Sequence, residues 1–360
     1  MRIQYVTRGL VTVAAVMAGI ITCTGCAGNG SATPGTAKSS TGTQGATSGV
    51  HGAVAAPQLT VGQASQVFTS FLPRYNQMLT TTNRSLVTQV TAGAESAMNQ
   101  LRDQEGISSS DTAISMKSPE FYVPQLSVYP RWFVVTGQEE QGGVSFPGAF
   151  VLDQDQPGGP WREAVYVSDS VPPYTALPVT IATNGQGYAT AVTAGSGLGL
   201  SPGELGAAYA QYLNLGPQPA PGFASGVNTS GQLSFDATFQ SQANRNGWQV
   251  KISYVPAGWP VYALRTSDGG ALVFYDVAVD KSWAATSSAA GFSDGILEPY
   301  MPSTHLAAIA GVSSARANSG EQLVEDGVQE AIGVIPPSGQ GAITVTAYDG
   351  GGDVSVSAHS

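Results

Sequence analysis

Both cysteines of this 360-residue chain, Cys23 and Cys26, lie within its first 26 residues. The rest of the chain contains no thiol, so it can form no disulfide bond and has no cysteine nucleophile. Small exported domains often depend on disulfides because they cannot bury a sufficient core. Here about 300 residues remain beyond the N-terminal region, enough for one large or two ordinary domains. The fold must therefore be held together by apolar packing.

The first 26 residues have the three parts of a secretory signal. Arg2 and Arg8 form a positive n-region, an apolar stretch runs from Leu10 to Ile21, and small residues follow. The apolar stretch is shorter than the ~20 residues that a helix needs to cross a bilayer. The pattern predicts an exported protein in which no mature segment crosses the membrane.

The end of this signal, Cys23-Thr24-Gly25-Cys26, resembles the lipobox of bacterial lipoproteins. In that family a small residue precedes the cysteine that receives the lipid, and Gly25 fits, whereas Cys23 replaces the usual leucine. The resemblance implies a fatty-acylated Cys26 and a location on the outer face of the cytoplasmic membrane. The alternative is ordinary cleavage near Ala27, which would give a freely secreted protein.

Residues 27–57 are almost entirely Gly, Ala, Ser and Thr, a composition that cannot bury enough apolar surface to fold. We expect a flexible tether with a typical reach of about 30 Å. Charged residues make up 11% of the chain, against a usual ~25%. Together with the tether and the lipobox-like site, this composition is similar to that of lipoproteins from high-GC actinobacteria. The formal net charge of −10 argues against nucleic acid and anionic membrane surfaces as partners.

Residues 58–195 predict a first α+β unit. A Thr-x-x-Gln capping box at Thr60 opens a helix whose apolar stripe continues to Leu79, with Pro73 inside it. A weaker helical pattern runs from Leu86 to Leu101. Three runs with strand composition then follow as an antiparallel meander: Arg131–Thr136, Gly148–Leu152 and Trp161–Val167.

Residues 196–360 predict a second unit on the same plan. A capping box at Ser201–Glu204 precedes a helix to Leu213, and Gly195–Gly199 is interpreted as the linker before it. The remaining elements are strands at Trp248–Tyr254, Val261–Thr266 and Ala271–Val279, a turn at Ser267–Gly270, a helix at Leu323–Ile332, and a hairpin at Ala342–Ala358 turning at Asp349–Gly352.

This order, a leading helix against a curved antiparallel sheet, is similar to cone-shaped α+β folds of the nuclear-transport-factor and cystatin kinds. It also resembles uncharacterised actinobacterial lipoproteins that pair two such units. Tyr129-Pro130 and Trp259-Pro260 precede strands in the two halves, which favours duplication. The alternative is that two α+β stretches look alike by chance. Folds of this kind support enzymes, carriers and adaptors.

Few residues of the chain suggest catalysis. His305 is the one histidine placed to lie in a folded site, since His51 is in the tether and His359 is next to the C-terminal residue. One usable histidine and no available cysteine give little support to a zinc or copper site. Ser313 lacks the second glycine of a nucleophile elbow. We expect no catalytic, metal or cofactor residues, with a hydrolase using His305 as an alternative.

Two acidic patterns in the sequence suggest binding or catalysis but are expected to be surface features. Asp153–Gly158 begins like a calcium loop, but Ala164 stands where the bidentate glutamate belongs, so a solvated hairpin turn is favoured. Glu139-Glu140 and Glu325-Asp326 are adjacent acids, which point in different directions on a strand or helix. Both pairs are expected to be surface charge.

Most of the aromatic residues of the strands are expected to be core: these residues are Trp132, Phe133, Tyr166, Trp248, Tyr254, Trp259, Tyr262 and Phe274. The sequence thus favours a non-catalytic, extracytoplasmic binding or interaction protein, whose partner is another envelope protein or a ligand. If the sheets curve, some of these rings would line a cavity for a small apolar molecule or lipid, and the protein would be a carrier. The oligomeric state is left open.

We predict that Cys26→Ser abolishes fatty-acid incorporation, because acylation requires that thiol. Metabolic labelling with a palmitate analogue measures this, with Cys23→Ser as the matched control that should label like the wild type. Equal labelling of Cys26→Ser and wild type would rule out the lipid anchor.

Overall fold

The computed structural model describes residues 58–359, except for 82, 105–111, 169–178, 196, 218–221, 287–289, 293–301, 303–306, 308–309 and 313–319. The predicted signal, Cys26 and the tether therefore lie outside the described residues, as do His305 and Ser313. None of the described helices is both long and apolar enough to span a bilayer.

The described part of the chain is α+β and mostly strands. Its helices are α1 (Val61–Thr80), α2 (Val87–Val90), α3 (Gly93–Gln104), α4 (Leu205–Leu215) and α5 (Gln232–Arg245), with 3₁₀ turns at Arg84–Leu86 and Pro202–Glu204 and a π-helical turn at Val227–Gly231. Its strands are β1 (Ile114–Tyr122), β2 (Arg131–Gln141), β3 (Val144–Gln154), β4 (Arg162–Ser168), β5 (Trp248–Pro256), β6 (Tyr262–Arg265), β7 (Ala271–Ala285), β8 (Gln322–Ile335) and β9 (Thr344–His359).

Helix α1 forms as its sequence predicts. The Thr60 hydroxyl accepts a hydrogen bond from the Gln63 amide, and the Gln63 side chain accepts one from the Thr60 amide, which completes the capping box. Phe68 and Tyr75 lie on the buried stripe. Pro73 neither ends nor divides the helix, and it lies on the exposed face.

The first sheet has the order β1-β2-β3-β4, with every neighbouring pair antiparallel. The predicted meander of β2, β3 and β4 is confirmed. Strand β1 was not predicted, because its middle is exposed and Ser118-Pro119 interrupts its pairing with β2. Proline is tolerated there because β1 is an edge strand.

The second sheet has the order β5-β7-β8-β9, and β6 also pairs with β7. The predicted strand near Trp248, the hairpin of β6 and β7, and the turn between them are confirmed. The helix predicted at Leu323–Ile332 is wrong: this segment is part of β8. Its residues from Val328 to Gly333 are buried on both faces, so the alternation typical of a half-exposed strand is absent.

The hairpin predicted at Ala342–Ala358 is also wrong, because Thr344–His359 is one long strand that pairs with β8. Gly352 allows close approach of α3, and the strand does not turn at Asp349–Gly352. A Cβ added to Gly352 would lie 3.1 Å from the Met98 Sδ of α3. The irregular pairing of β8 with β9 falls in this region, between Asp326 and Gly333.

The helix predicted after Ser201 is confirmed as α4, which ends at Gly216 with φ of 78°. The capping box itself is not formed, since the Ser201 side chain makes no capping hydrogen bond and a 3₁₀ turn leads into the helix. Helix α5 was not predicted. It is largely polar, and Phe239 and Ala243 are its buried apolar residues.

The two sheets pack face to face, with a helix on each outer side. Helix α1 covers one face of the first sheet, contacting a cluster that includes Phe133, Val135, Phe150 and Leu152. The other face packs on the second sheet through Trp132, Val134, Val151, Val165, Tyr262, Leu264, Leu272, Phe274 and Ile332. The outer face of the second sheet packs under α4 through Leu205, Tyr209, Tyr212, Val273, Tyr275 and Ala331.

This packing fills both faces of the first sheet. The expected likeness to cone-shaped folds is not confirmed, and the two sheets differ in strand number and order. The expected aromatic core is confirmed for Trp132, Phe133, Tyr166, Trp248, Tyr254, Tyr262 and Phe274, all of which are buried. Trp259 differs, because it lies before β6 and is partly exposed.

We predict that Gly333→Ala destabilises the protein by about 1–3 kcal/mol through overpacking. A Cβ at this position would lie 2.7 Å from Leu205 Cδ2 and 3.2 Å from Tyr275 Cε1, where α4 meets the second sheet. Chemical denaturation measures the change. Gly62→Ala is the control: it is exposed in α1 with no neighbour within 4 Å and should stabilise by roughly 0.5–1 kcal/mol. Equal effects of the two variants would contradict the packing.

Candidate functional site

A polar cleft of about 450 Å³ lies where α3, the β3–β4 turn and the segment before β6 come together. It is therefore built from both sheets. Its walls consist of helix residues that carry small or polar side chains, charged residues of the first sheet, and aromatic residues of the second. They are Thr88, Thr91, Ala92, Gly93, Ser96, Ala97, Gln100, Asp153, Asp155, Arg162, Ala164, Trp259, Pro260 and Tyr262.

Strand pairing and sheet packing place the charged side chains. Asp153 near the end of β3 is the register partner of Arg162 at the start of β4, so the two side chains lie on the same face. Tyr262 reaches across from β6, and its hydroxyl donates to Asp153 Oδ2 at 2.9 Å. The Tyr262 ring packs edge-on against Trp132, with 5.4 Å between ring centroids. This contact fixes the hydroxyl in the cleft.

Two residues that line the cleft each have a buried polar atom with no hydrogen-bond partner: Asp153 Oδ1 and Arg162 Nε. The Asp153 residue is only 4% exposed. The other end of the Arg162 guanidinium forms an ion pair with the exposed Asp155. An unpaired acceptor and an unpaired donor thus lie on neighbouring strands of one cleft.

Burial raises the pKa of the Asp153 carboxyl to about 6. The Tyr262 hydrogen bond opposes this rise, Asp155 adds to it, and Arg162 opposes it. The carboxyl is therefore largely ionised at neutral pH and becomes protonated in mildly acidic conditions.

Trp259 forms an aromatic wall of the cleft. Part of its surface is exposed, and the rest packs against the buried cluster formed by Ala94 and Met98 of α3 and Val328 of β8. Gly93 at the start of α3 has φ of 55°, a left-handed conformation that favours glycine. A Cβ there would lie 3.5 Å from Trp259 Cδ1. The glycine thus lets the helix begin directly beside the indole ring.

Residues between β3 and β4 form a hairpin turn, with Gly158 at φ of 71°. It is not fully solvated, since Asp153 is buried. Within the part of the chain that the structure describes, no three or more His, Cys, Asp or Glu side chains converge as a metal-binding group. The cleft residues could instead hold a small polar molecule through hydrogen bonds.

Tyrosine hydroxyls also meet buried acids elsewhere in the fold. Tyr166 donates to Glu139 at 2.7 Å and Tyr75 to Glu163 at 3.3 Å, both under α1. Tyr254 donates to Asp236 of α5 at 2.8 Å. These acids are buried, so each carboxylate is held in the interior by a neutral donor.

The surface positions predicted for two acidic pairs are wrong in part. Glu139 is fully buried and Glu325 nearly so, whereas Glu140 and Asp326 are partly exposed. Glu140 pairs with Lys117, and Glu325 accepts from Lys281 at 3.4 Å. On each strand the side chains alternate between faces, which separates the two members of each pair.

A further buried acid lies between the sheets. Both carboxylate oxygens of Asp276 on β7 are buried with no hydrogen-bond partner. Burial raises its pKa well above the ordinary range, and the charge of Glu95 on α3 raises it further. Its register partner on β8 is Glu330, whose carboxylate accepts from the Tyr166 amide at 3.2 Å.

Sequence reasoning found only some residues of the cleft. Asp153 was noted as part of a possible calcium loop, and Tyr262 and Trp259 were assigned to the core. The sequence analysis does not identify Arg162. Its signal is that basic residues are scarce, since the chain has only 14 Lys and Arg residues, and that it stands at the start of a strand. The contact between Asp153 and Tyr262 joins positions 109 apart and has no local pattern.

Comparison with known proteins places residues 55–310 in a match to a family described as a domain of unknown function, DUF8094. The match spans both predicted units. An uncharacterised lipoprotein of Streptomyces coelicolor is 28% identical over 61% of this chain and 66% of its own length. An uncharacterised lipoprotein of Streptomyces avermitilis is 27% identical over 61% of this chain and 65% of its own length. The chain thus matches just under two thirds of these relatives, and no solved structure matches it.

We predict that the protein is more stable at pH 5 than at pH 8. The pKa values of Asp153 and Asp236 are raised by burial to about 6, and that of Asp276 is raised too. A raised folded pKa contributes stability that is present below the unfolded pKa of ~4 and is lost as pH rises through the folded value. Thermal unfolding across this range measures the effect.

Asp276→Asn should raise the melting temperature at pH 8 and raise it less at pH 5, because the cost of keeping this carboxyl in the interior grows as pH rises from the unfolded pKa of ~4 through the raised folded pKa. Glu140→Gln is the control, since Glu140 is partly exposed and paired with Lys117. A wild-type protein equally stable at both pH values, or a pH dependence that Asp276→Asn leaves intact, would contradict this assignment.

Proposed function

The chain belongs to the DUF8094 family, and we propose that it is a non-catalytic extracytoplasmic binding protein, held at the membrane by a lipid on Cys26. Its binding site is the cleft between α3, the β3–β4 turn and Trp259. The ligand is a small polar molecule. Export by the N-terminal signal places this site outside the cytoplasm.

The observation that carries the proposal is the pair of unpaired buried atoms, Asp153 Oδ1 and Arg162 Nε. Leaving a buried polar group unsatisfied costs roughly 1–3 kcal/mol. A ligand that accepts from Arg162 and donates to Asp153 would offset both costs. The surrounding sheets fix the two side chains, so little ordering is required when a ligand binds.

Anchoring is supported by the relatives, both described as lipoproteins, and by the lipobox-like Cys23-Thr24-Gly25-Cys26. The composition of residues 27–57 predicts a tether with a reach of about 30 Å. This tether would hold the cleft away from the membrane surface. Secretion without a lipid is the alternative, and fatty-acid labelling separates the two.

Duplication of an ancestral α+β unit is part of the proposal. Trp132 and Tyr262 each stand two residues after the proline of the repeated Tyr129-Pro130 and Trp259-Pro260, and their rings are in contact. Contact between equivalent positions is what a pair of units related by twofold symmetry would produce.

The other functions that the sequence leaves open have less support. A carrier of an apolar molecule needs an unfilled apolar cavity, whereas the strand aromatics pack against helices or the opposite sheet. A hydrolase would depend on His305, which lies outside the described residues. Turnover of an envelope substrate that His305→Ala abolishes would favour that alternative.

We expect Asp153→Asn to abolish or strongly weaken binding of the cleft ligand, because it removes the charge that accepts the ligand's donor while keeping an acceptor for Tyr262. Native mass spectrometry and thermal-shift assays of the exported, purified protein against sugars, polyamines, amino acids and carboxylates would reveal the ligand. Glu140→Gln is the matched control and should bind like the wild type.

Ligands that bind wild type and Asp153→Asn equally would place binding outside the cleft. A ligand converted to product by the wild type would contradict the non-catalytic part of the proposal.

A further inference from the structure

We infer that the cleft binds a saccharide, recognised by neighbouring hydroxyl groups at Asp153 and Arg162 and by contact of a sugar ring with Trp259. This inference rests on the proposed binding function and specifies its ligand class. The described residues that carry it belong to three separate elements: β3, β4 and the segment before β6.

The two unpaired atoms set the hydrogen-bond requirement. Asp153 Oδ1 needs a donor, and Arg162 Nε needs an acceptor. Because Asp153 and Arg162 are register partners on adjacent strands, the ligand's donor and acceptor must lie close together. A hydroxyl group is both donor and acceptor, so two adjacent hydroxyls of a sugar ring meet this requirement.

Ligands with one kind of charge fit less well. An ammonium group can donate to Asp153 but has no acceptor for Arg162 Nε, and an ionised carboxylate has the reverse problem. Either would leave one buried atom unpaired, at a cost that a neutral polyol avoids. The ion pair between Arg162 and Asp155 already neutralises part of the local charge, which also favours a ligand without net charge.

Trp259 supplies the apolar half of the recognition. Its indole is partly exposed in the cleft and is backed by the buried cluster of Ala94, Met98 and Val328. A pyranose ring has a face of C–H groups that packs on an aromatic surface, whereas its hydroxyls point outward. A linear polyol or a polyamine lacks such a face, so the tryptophan favours a ring.

The rest of the lining is consistent with hydroxyl recognition. Ser96 and Gln100 of α3 form a hydrogen-bonded pair at 3.0 Å, and Thr88 of α2 is exposed beside them. These groups both donate and accept, as sugar hydroxyls do. The volume of about 450 Å³ lies within the ~300–1,000 Å³ typical of small-molecule sites.

The test is saturation-transfer NMR and calorimetry on the exported protein, purified in a detergent without a sugar headgroup. The probes are glucose, mannose, galactose, N-acetylglucosamine and their disaccharides, compared with spermidine, acetate and succinate, each of which carries one kind of charge. We expect at least one saccharide to bind and the three charged probes not to bind.

Trp259→Ala should weaken saccharide binding at least tenfold, and Trp259→Phe should restore most of it because a ring remains. Asp153→Asn should also weaken binding at least tenfold, whereas Glu140→Gln should leave it unchanged. If Trp259→Ala unfolds, Arg162→Lys replaces it, since lysine keeps the charge without the Nε donor and should also weaken binding at least tenfold.

The outcomes separate this inference from the proposal on which it rests. A charged probe that binds through Asp153, with no saccharide binding, overturns the saccharide inference and leaves the binding function standing. Saccharide binding that is insensitive to Trp259→Ala, Arg162→Lys and Asp153→Asn also overturns it. No binding by any probe, including the broader set of polar metabolites, overturns both.

Discussion

The packing of one sheet directly on the other is the contact on which the rest of the structure depends. With no cysteine beyond residue 26, this interior replaces the crosslinks that many exported domains use. The inner faces meet through Trp132, Val151, Phe274 and their neighbours, leaving the outer faces to α1 and α4. The cleft lies at the edge of this interface between the sheets, because its walls come from the margins of both sheets.

The interior also contains more acid than its few basic residues can neutralise. The chain has 24 Asp and Glu against 14 Lys and Arg, and several of the acids are buried. Tyr75, Tyr166, Tyr254 and Tyr262 each donate a hydroxyl to one of them. A tyrosine ring adds apolar area while its hydroxyl satisfies the carboxylate, so one side chain does both. Asp276 lacks such a donor, and its pKa is among those raised furthest.

Local signals in the sequence predicted most elements but not their arrangement. The capping box at Thr60 and the turn at Ser267–Gly270 were readable because caps and turns are determined by adjacent residues. Strand β8 was mistaken for a helix because burial on both faces removes the alternation that identifies a strand. The glycine run of β9 predicts a turn from its local composition, although the close packing at Gly352 involves Met98, some 250 positions earlier.

The candidate site was harder to predict than the fold for the same reason. Asp153 and Tyr262 belong to different sheets, and nothing near either residue in the sequence indicates the other. Arg162 lies opposite Asp153 because of the register between β3 and β4. That register depends on the pairing of the whole strands and not on the residues next to either position. The sequence therefore draws attention to Asp153 but predicts a solvated turn around it, whereas the residue is buried beside Tyr262.

The hydrogen bond from Tyr262 to Asp153 makes the cleft dependent on the assembled protein. One half of the chain supplies the carboxylate and the guanidinium, and the other supplies the tyrosine and the tryptophan. Neither half on its own contains the site. A ligand in the cleft therefore contacts both halves of the chain at once, and it stabilises their association to an extent set by its concentration relative to its Kd.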